Sequence, residues 1–142
     1  MEVFSKMDLI DELIVKELLV NSRLSMSELG RRVHLSSPAV KERVLQLEEK
    51  QIIKKYTIEL DKKNCGFPIS AIIEATIKNT RYEDFKNHIQ NEENIDFCYR
   101  IAGSACFMLK INFKSFEEAE KFIDGLIPFA HTKTNFIFSR VI

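Results

Sequence analysis

The sequence predicts an α+β chain in two parts, a three-helix unit followed by a βαββαβ unit. Three observations predict it. Apolar residues recur at helical spacing up to Leu47 and alternate in several later stretches. Boxes of the Ser/Thr-x-x-Glu type mark helix starts at Ser25 to Glu28, Thr80 to Glu83 and Ser115 to Glu118. A polar break containing Gly and Pro, Asp61-Lys62-Lys63-Asn64-Cys65-Gly66-Phe67-Pro68, separates the two patterns.

The first helix runs from Asp8, a good N-cap, to Val20, with Leu9, Ile10, Leu13, Ile14 and Leu18 at helical spacing. The box at Ser25 opens a short second helix that turns Leu29 and Val33 inward. His34-Leu35-Ser36 follows as a turn, and Ser37-Pro38 supplies an N-cap with Pro at the first helical position, where its fixed φ suits initiation. The third helix carries Val40, Val44 and Leu47 on one face. From Ile52 to Leu60 the period shortens to that of a strand. The domains are therefore expected at 1–60 and 69–142, joined by a linker or hinge at 61–68.

In the second part Ile69, Ala71, Ile73, Ala75 and Ile77 form the apolar face of a strand. The box at Thr80 opens a helix burying Tyr82, Phe85 and Ile89. Ile95, Phe97, Tyr99 and Ile101 alternate in one strand and Phe107, Leu109, Ile111 and Phe113 in the next, with Gly103-Ser104 turning between them. The box at Ser115 opens a helix that points Phe116, Ala119, Phe122, Ile123 and Leu126 inward before Pro128 ends it, and Thr132 to Val141 closes as a strand. This order is that of a ferredoxin-like plait with two helices on one face of an antiparallel sheet. The other face, with Ser70, Ile72, Glu74, Cys98, Arg100, Met108, Lys110 and Asn112, is too mixed for a core, and we expect it to be a subunit interface with Glu74 paired to Lys110.

Composition narrows the function. At 142 residues each half is near the lower size limit for a self-sufficient core, so assembly would help both. No apolar run approaches the roughly 20 residues that span a bilayer, and Met1-Glu2-Val3-Phe4-Ser5-Lys6 shows no secretory signal, so a cytoplasmic protein with no membrane partner is expected. Cys65, Cys98 and Cys106 contain no Cys-x-x-Cys pair, which argues against a disulfide framework or a zinc site; they read as buried thiols. His34, His88 and His131 sit beside no nucleophile, and no cofactor is called for.

The 21 basic and 21 acidic residues balance, yet residues 1–20 are net −3 and residues 21–55 net +4. Positive charge is concentrated where a phosphate footprint needs it. The three helices fit a helix-turn-helix, whose second short helix puts the start of its exposed face into a major groove. Gly30 would occupy the crowded crossing of the two helices, over a core of Leu29, Val33, Leu35 and Val40, while His34 stands at a turn position that favours Gly. Ser36, Ser37, Pro38, Ala39, Lys41, Glu42 and Arg43 lie at the start of the third helix, and Arg23, Ser25, Arg31, Arg32, Lys54 and Lys55 are placed to grip phosphates or the flanking backbone. Arg43 has the alternative of an ion pair with Glu12 or Glu28.

With these residues in place, the runs Ile10-Asp11-Glu12-Leu13-Ile14, Asn21-Ser22-Arg23-Leu24-Ser25, Glu28-Leu29-Gly30, Leu35-Ser36, Arg43-Val44, Leu47-Glu48 and Ile52-Ile53-Lys54-Lys55-Tyr56 resemble the Lrp/AsnC, or feast/famine, transcription regulators, and most of all their LrpC-type members. The resemblance extends to Ile142. It implies a winged or hinged DNA-binding domain, homodimers formed through the plaits, tetramers or octamers that wrap double-stranded DNA, and an amino-acid effector site at the loop between the second and third plait strands. Here that loop is Ala102-Gly103-Ser104-Ala105-Cys106, with Thr132 and Thr134 as further lining. Gly103 matches the family, whereas Cys106 replaces its usual Asp, and a thiol is a poor partner for an ammonium group. An architectural, nucleoid-type protein without a small-molecule effector is the alternative. Two other readings are weaker. An RNA recognition motif needs stacking aromatics where Met108, Lys110 and Asn112 stand. A ferredoxin-like enzyme such as an acylphosphatase needs a Gly-rich loop that Asn79-Thr80 does not offer.

Overall fold

The structure is a computed structural model that describes residues 7–142; the stretch read for a secretory signal, 1–6, lies outside the described residues. Two compact units divide the chain, Met1–Glu59 and Leu60–Ile142. The stretch read as a linker, 61–68, accordingly belongs to the second unit. There Lys62 reaches the Asp96 carboxylate at 3.2 Å and the Lys114 ammonium lies over the Phe67 ring.

In the first unit α1 is Leu9–Val20, α2 Met26–Val33 and α3 Ser37–Glu49. Each start is fixed locally. The Asp8 carboxylate accepts from the Asp11 N–H at 2.8 Å while Asp11 accepts from the Asp8 N–H, a reciprocal box that satisfies two orphan donors. Ser25 Oγ accepts from the Glu28 N–H at 3.1 Å. For α3 the cap is Ser36, one residue before the Ser37 expected, because its extended backbone lets Oγ reach the Ala39 N–H; Pro38 then falls at the second helical position. Ile14, Leu18, Leu24, Leu29, Val33, Val40, Val44 and Leu47 make the core. Leu9 and Leu13, although at helical spacing, are exposed, since the buried stripe of α1 runs through Asp11, Ile14 and Leu18. The strand expected at Ile52 to Leu60 does not form: the segment is irregular, with no neighbouring strand to complete its hydrogen bonds.

The second unit contains β1 Ile69–Ile77, α4 Tyr82–Gln90, β2 Ile95–Arg100, β3 Phe107–Phe113, α5 Phe116–Leu126 and β4 Ala130–Ile137. The sheet is antiparallel in the order β2-β3-β1-β4, as βαββαβ connectivity requires. Ala71, Ile73 and Ala75 of β1 and Phe107, Leu109, Ile111 and Phe113 of β3 pack against Phe85 and Ile89 of α4 and Ala119, Phe122 and Leu126 of α5.

Against the alternation expected of it, β2 turns over at a β-bulge. Ile95 pairs with Ile111 and Phe97 with Lys110, so Asp96 is an extra residue and every side chain after it changes face. Phe97 and Tyr99 therefore stack on the open face, ring centroids 5.0 Å apart, while Cys98 and Arg100 turn to the helix side, where the Arg100 guanidinium lies over Tyr82. Glu74 does not meet Lys110: it stands opposite Met108 and Lys133, and the Lys110 ammonium is 2.9 Å from Asp96. Thr80 caps nothing, because Asn79 and Thr80 both take positive φ and the Thr80 hydroxyl is turned back to the Asn79 carbonyl; Arg81 is the N-cap residue of α4. Phe116, expected inward, is 65% exposed and packs edge-on against Phe136 at the sheet margin. β4 stops at Ile137, opposite Ser70, where its partner β1 runs out. Cys65 lies exposed on the polar turn, Cys98 is exposed on the edge strand β2, and Cys106 is half-buried, so the thiols are not core residues; all three are free.

Candidate nucleic-acid interface

A short helix, a tight turn and a second helix form the centre of the first unit. The turn depends on two residues. His34, the C-cap of α2, has φ 57° and ψ 41°, the left-handed conformation that lets its N–H and that of Leu35 both reach the Gly30 carbonyl. A Cβ on Gly30 would stand 2.5 Å from the Leu35 carbonyl oxygen. The crowding that demands glycine thus comes from the turn rather than from the crossing of the two helices.

Among the residues assigned to DNA, structural duties separate two groups. Ser25 and Ser36 spend their hydroxyls as helix caps, though Oγ retains a donor proton that each could direct to a phosphate. The Arg32 guanidinium binds Glu17 at 2.8 Å and Glu28 at 3.4 Å. Arg43 folds onto the first helix in an ion pair, with partners other than the Glu12 or Glu28 expected: Nη1 is 2.7 Å from the Asp8 carboxylate and 2.8 Å from that of Asp11. The hydrogen bond from Arg43 leads in holding the Asp8 carboxyl below the usual carboxylate range. Arg23, Arg31, Lys41, Lys54 and Lys55 are exposed and, among the described residues, enter no ion pair. Pro38 and Glu42 are exposed at the start of α3, with Ser37 and Ala39 half-buried beside them.

Sequence reasoning missed two participants. Gln46, one turn beyond Glu42, donates from Nε2 to the Glu42 carboxylate at 3.2 Å; the four-residue spacing was the available signal. Tyr56 donates its hydroxyl to Glu48 at 2.8 Å, and partial burial together with that carboxylate pushes the phenol up to about 12. This bond ties the segment bearing Lys54 and Lys55 to α3.

In the second unit the loop 102–106 leaves Gly103 and Ser104 exposed and Ala105 buried. Ser104, Ala105 and Thr132 share a shallow hollow of about 260 Å³ with Glu74, Thr76, His131 and Lys133. Thr134, Gly103 and Cys106 do not line it. The Cys106 Sγ instead lies 3.7 Å from the Tyr82 hydroxyl, and the Ile77 N–H, then Tyr82 and Arg100, hold the thiol below its ordinary range. Glu74, expected to pair with Lys110, is the carboxylate of this hollow.

No helix among the described residues is long and apolar enough to cross a membrane, and no group of His, Cys, Asp and Glu there could hold a metal ion. A basic helix-turn-helix followed by an antiparallel plait is an architecture suited to a DNA-binding regulator. Similarity to known proteins agrees. The profile of the Lrp/AsnC ligand binding domain matches residues 70–142, and that of the AsnC-type helix-turn-helix domain matches residues 7–48. The chain is 57% identical over 136 residues to the HTH-type transcriptional regulator LrpC of Bacillus subtilis, covering 96% of this chain and 94% of that protein. It is 33% identical over 134 residues to LrpA of the same organism, covering 94% and 98%. The solved structure of B. subtilis LrpC superimposes with a TM-score of 0.92 at 56% identity, covering 96% of this chain and 97% of that one. The chain belongs to the Lrp/AsnC family of transcriptional regulators.

Proposed function

We propose that the protein binds duplex DNA in the cytoplasm as a homodimer or a higher assembly, tetramer or octamer, bending or wrapping the duplex, with α3 in the major groove. The exposed Arg31 and Lys41 near the start of α3, Arg23 ahead of α2, and Lys54 and Lys55 beyond the end of α3, none of them in an ion pair among the described residues, carry this reading. Ser25, Ser36, Ser37, Pro38, Ala39 and Glu42 complete the contact surface, while Arg32 and Arg43 serve chiefly to hold the helices together. The open sheet face supplies the subunit contact: Ile72, Met108, Phe97 and Tyr99 form an apolar patch on it, and Tyr99 is 62% exposed in the single chain.

The test is a salt titration of duplex binding. Replacing Arg31, Lys41 and Lys55 by Ala should weaken binding and lower the slope of log K against log salt by about 0.9 for each phosphate that is no longer neutralised. Unchanged affinity and slope in a folded variant would refute the interface. A second reading, an amino-acid effector in the plait, is favoured by Glu74 beside Ser104, Ala105 and Thr132, because it returns to that hollow the carboxylate that Cys106 lacks. Calorimetric titration with the twenty amino acids tests it, and no heat from any of them would leave the architectural alternative.

A further inference from the structure

We propose that Glu42 reads a cytosine amine in the major groove and that Gln46 positions its carboxylate. The inference rests on the DNA interface proposed above and adds what that interface selects. In α3 the buried stripe is Val40, Val44 and Leu47. At 100° per residue, Pro38, Glu42 and Glu49 fall on the opposite side, so Glu42 stands near the middle of the outward face. Its immediate neighbour Arg43, the cation suited by type to a guanine edge, is held by Asp8 and Asp11. The Ser36 hydroxyl is occupied in capping. Besides the Ser37 hydroxyl and the donor that Ser36 retains, Lys41 and the Glu42–Gln46 pair are therefore the hydrogen-bonding groups that the first turns of the helix can offer to a base.

Among the described residues no cation pairs with the Glu42 carboxylate. An unpaired acid lowered into a groove walled by phosphates weakens binding unless a hydrogen-bond donor meets it. The major groove offers two such donors, cytosine N4 and adenine N6. Adenine sets the acceptor N7 beside its amine, guanine presents two acceptors, and thymine an acceptor and a methyl group. Cytosine alone offers a donor without an acceptor of its own. Gln46 donates to one carboxylate oxygen of Glu42, which limits the side chain to few rotamers and leaves the second oxygen to accept from the base. Glu42 thereby selects in two ways, by accepting from cytosine and by disfavouring the acceptors that guanine, thymine and, beside its amine, adenine present.

The experiment is selection of bound duplexes from a randomised pool by the full chain and by Glu42→Gln, Glu42→Ala and Gln46→Ala. These positions are exposed and the replacements favour helix, so the fold is retained. The parent should enrich C·G at one position of each half-site. Glu42→Ala should lose at least about fivefold of that preference, keep the remaining positions, and bind non-specific duplex more tightly. Glu42→Gln should move the preference toward adenine, whose N6 and N7 an amide can pair together. Gln46→Ala should weaken the cytosine preference without changing the preferred base. An identical base profile for the parent and Glu42→Ala would overturn the inference and leave the interface standing. A parent chain that retains no duplex would remove both.

Discussion

At the scale of single residues, the turn between α2 and α3 concentrates the steric demand. Gly30→Ala forces a methyl group against the Leu35 carbonyl and should cost about 1–3 kcal/mol in urea denaturation. His34→Gly relieves a left-handed non-glycine residue and should raise stability by up to about 1 kcal/mol, lowered somewhat by the greater freedom of the unfolded glycine. Truncating Arg43 to Ala leaves Asp11 with its carboxylate only 11% exposed and its cation gone, so a loss of about 1–2 kcal/mol is expected with little change in the salt dependence of DNA binding. The Asp8 carboxyl titrates lower in the folded than in the unfolded chain. Its contribution is therefore complete above the unfolded pKa and disappears as pH falls through the folded one. Stability measured from neutral to acid pH should show that loss below the ordinary carboxylate range, and Asp8→Asn should flatten the acid limb.

At the scale of elements, what is local in the sequence is what could be read from it. Asp8, Ser25 and Ser115 begin helices because each cap needs only a side chain and an N–H three residues away. The Thr80 box has the same spacing and fails because two successive positive φ values turn the hydroxyl away, a demand of the exit from β1 that no spacing records. Alternation placed β1 and β3 correctly, since both run through the middle of the sheet with one face under helices. It misplaced the second half of β2, where partners distant in the chain decide. The Asp96 carboxylate binds Lys110, Lys62 and the Asn112 amide, and Asn112 is itself 1% exposed and accepts from the Ser70 hydroxyl. Burial raises the Asp96 carboxyl, and the hydrogen bonds from Lys110 and Lys62 outweigh it, so the group stays charged into acid. Arg43 was legible as an ion-pair candidate and its partners were not, because which carboxylates of the segment from Asp8 to Glu12 meet it is decided by how α1 packs on α3. Asp96→Asn should loosen the turn that Lys62 anchors, and limited trypsin digestion should then cut after Lys62 or Lys63 faster than in the parent.

At the scale of the whole molecule, each half depends on what it joins. The open face of the plait carries Phe97, Tyr99, Ile72 and Met108 alongside Lys110 and Glu74. A charge placed in the middle of that patch, as in Tyr99→Glu, should shift the assembly toward monomer in sedimentation and weaken DNA binding in proportion, with the helix-turn-helix still folded by circular dichroism. The bulge in β2 gives this surface an unusual vulnerability. The bulge determines which half of the strand's vocabulary is spoken outward: with Asp96 left out of the ladder, two aromatic rings; with Asp96 paired in it, a thiol and a guanidinium. Deleting Asp96 would close the bulge with Phe97 still opposite Lys110 and both rings still outward, whereas drawing Asp96 into the ladder would exchange the outer skin of the strand for its lining. This edge of the sheet depends on its register more than on its composition.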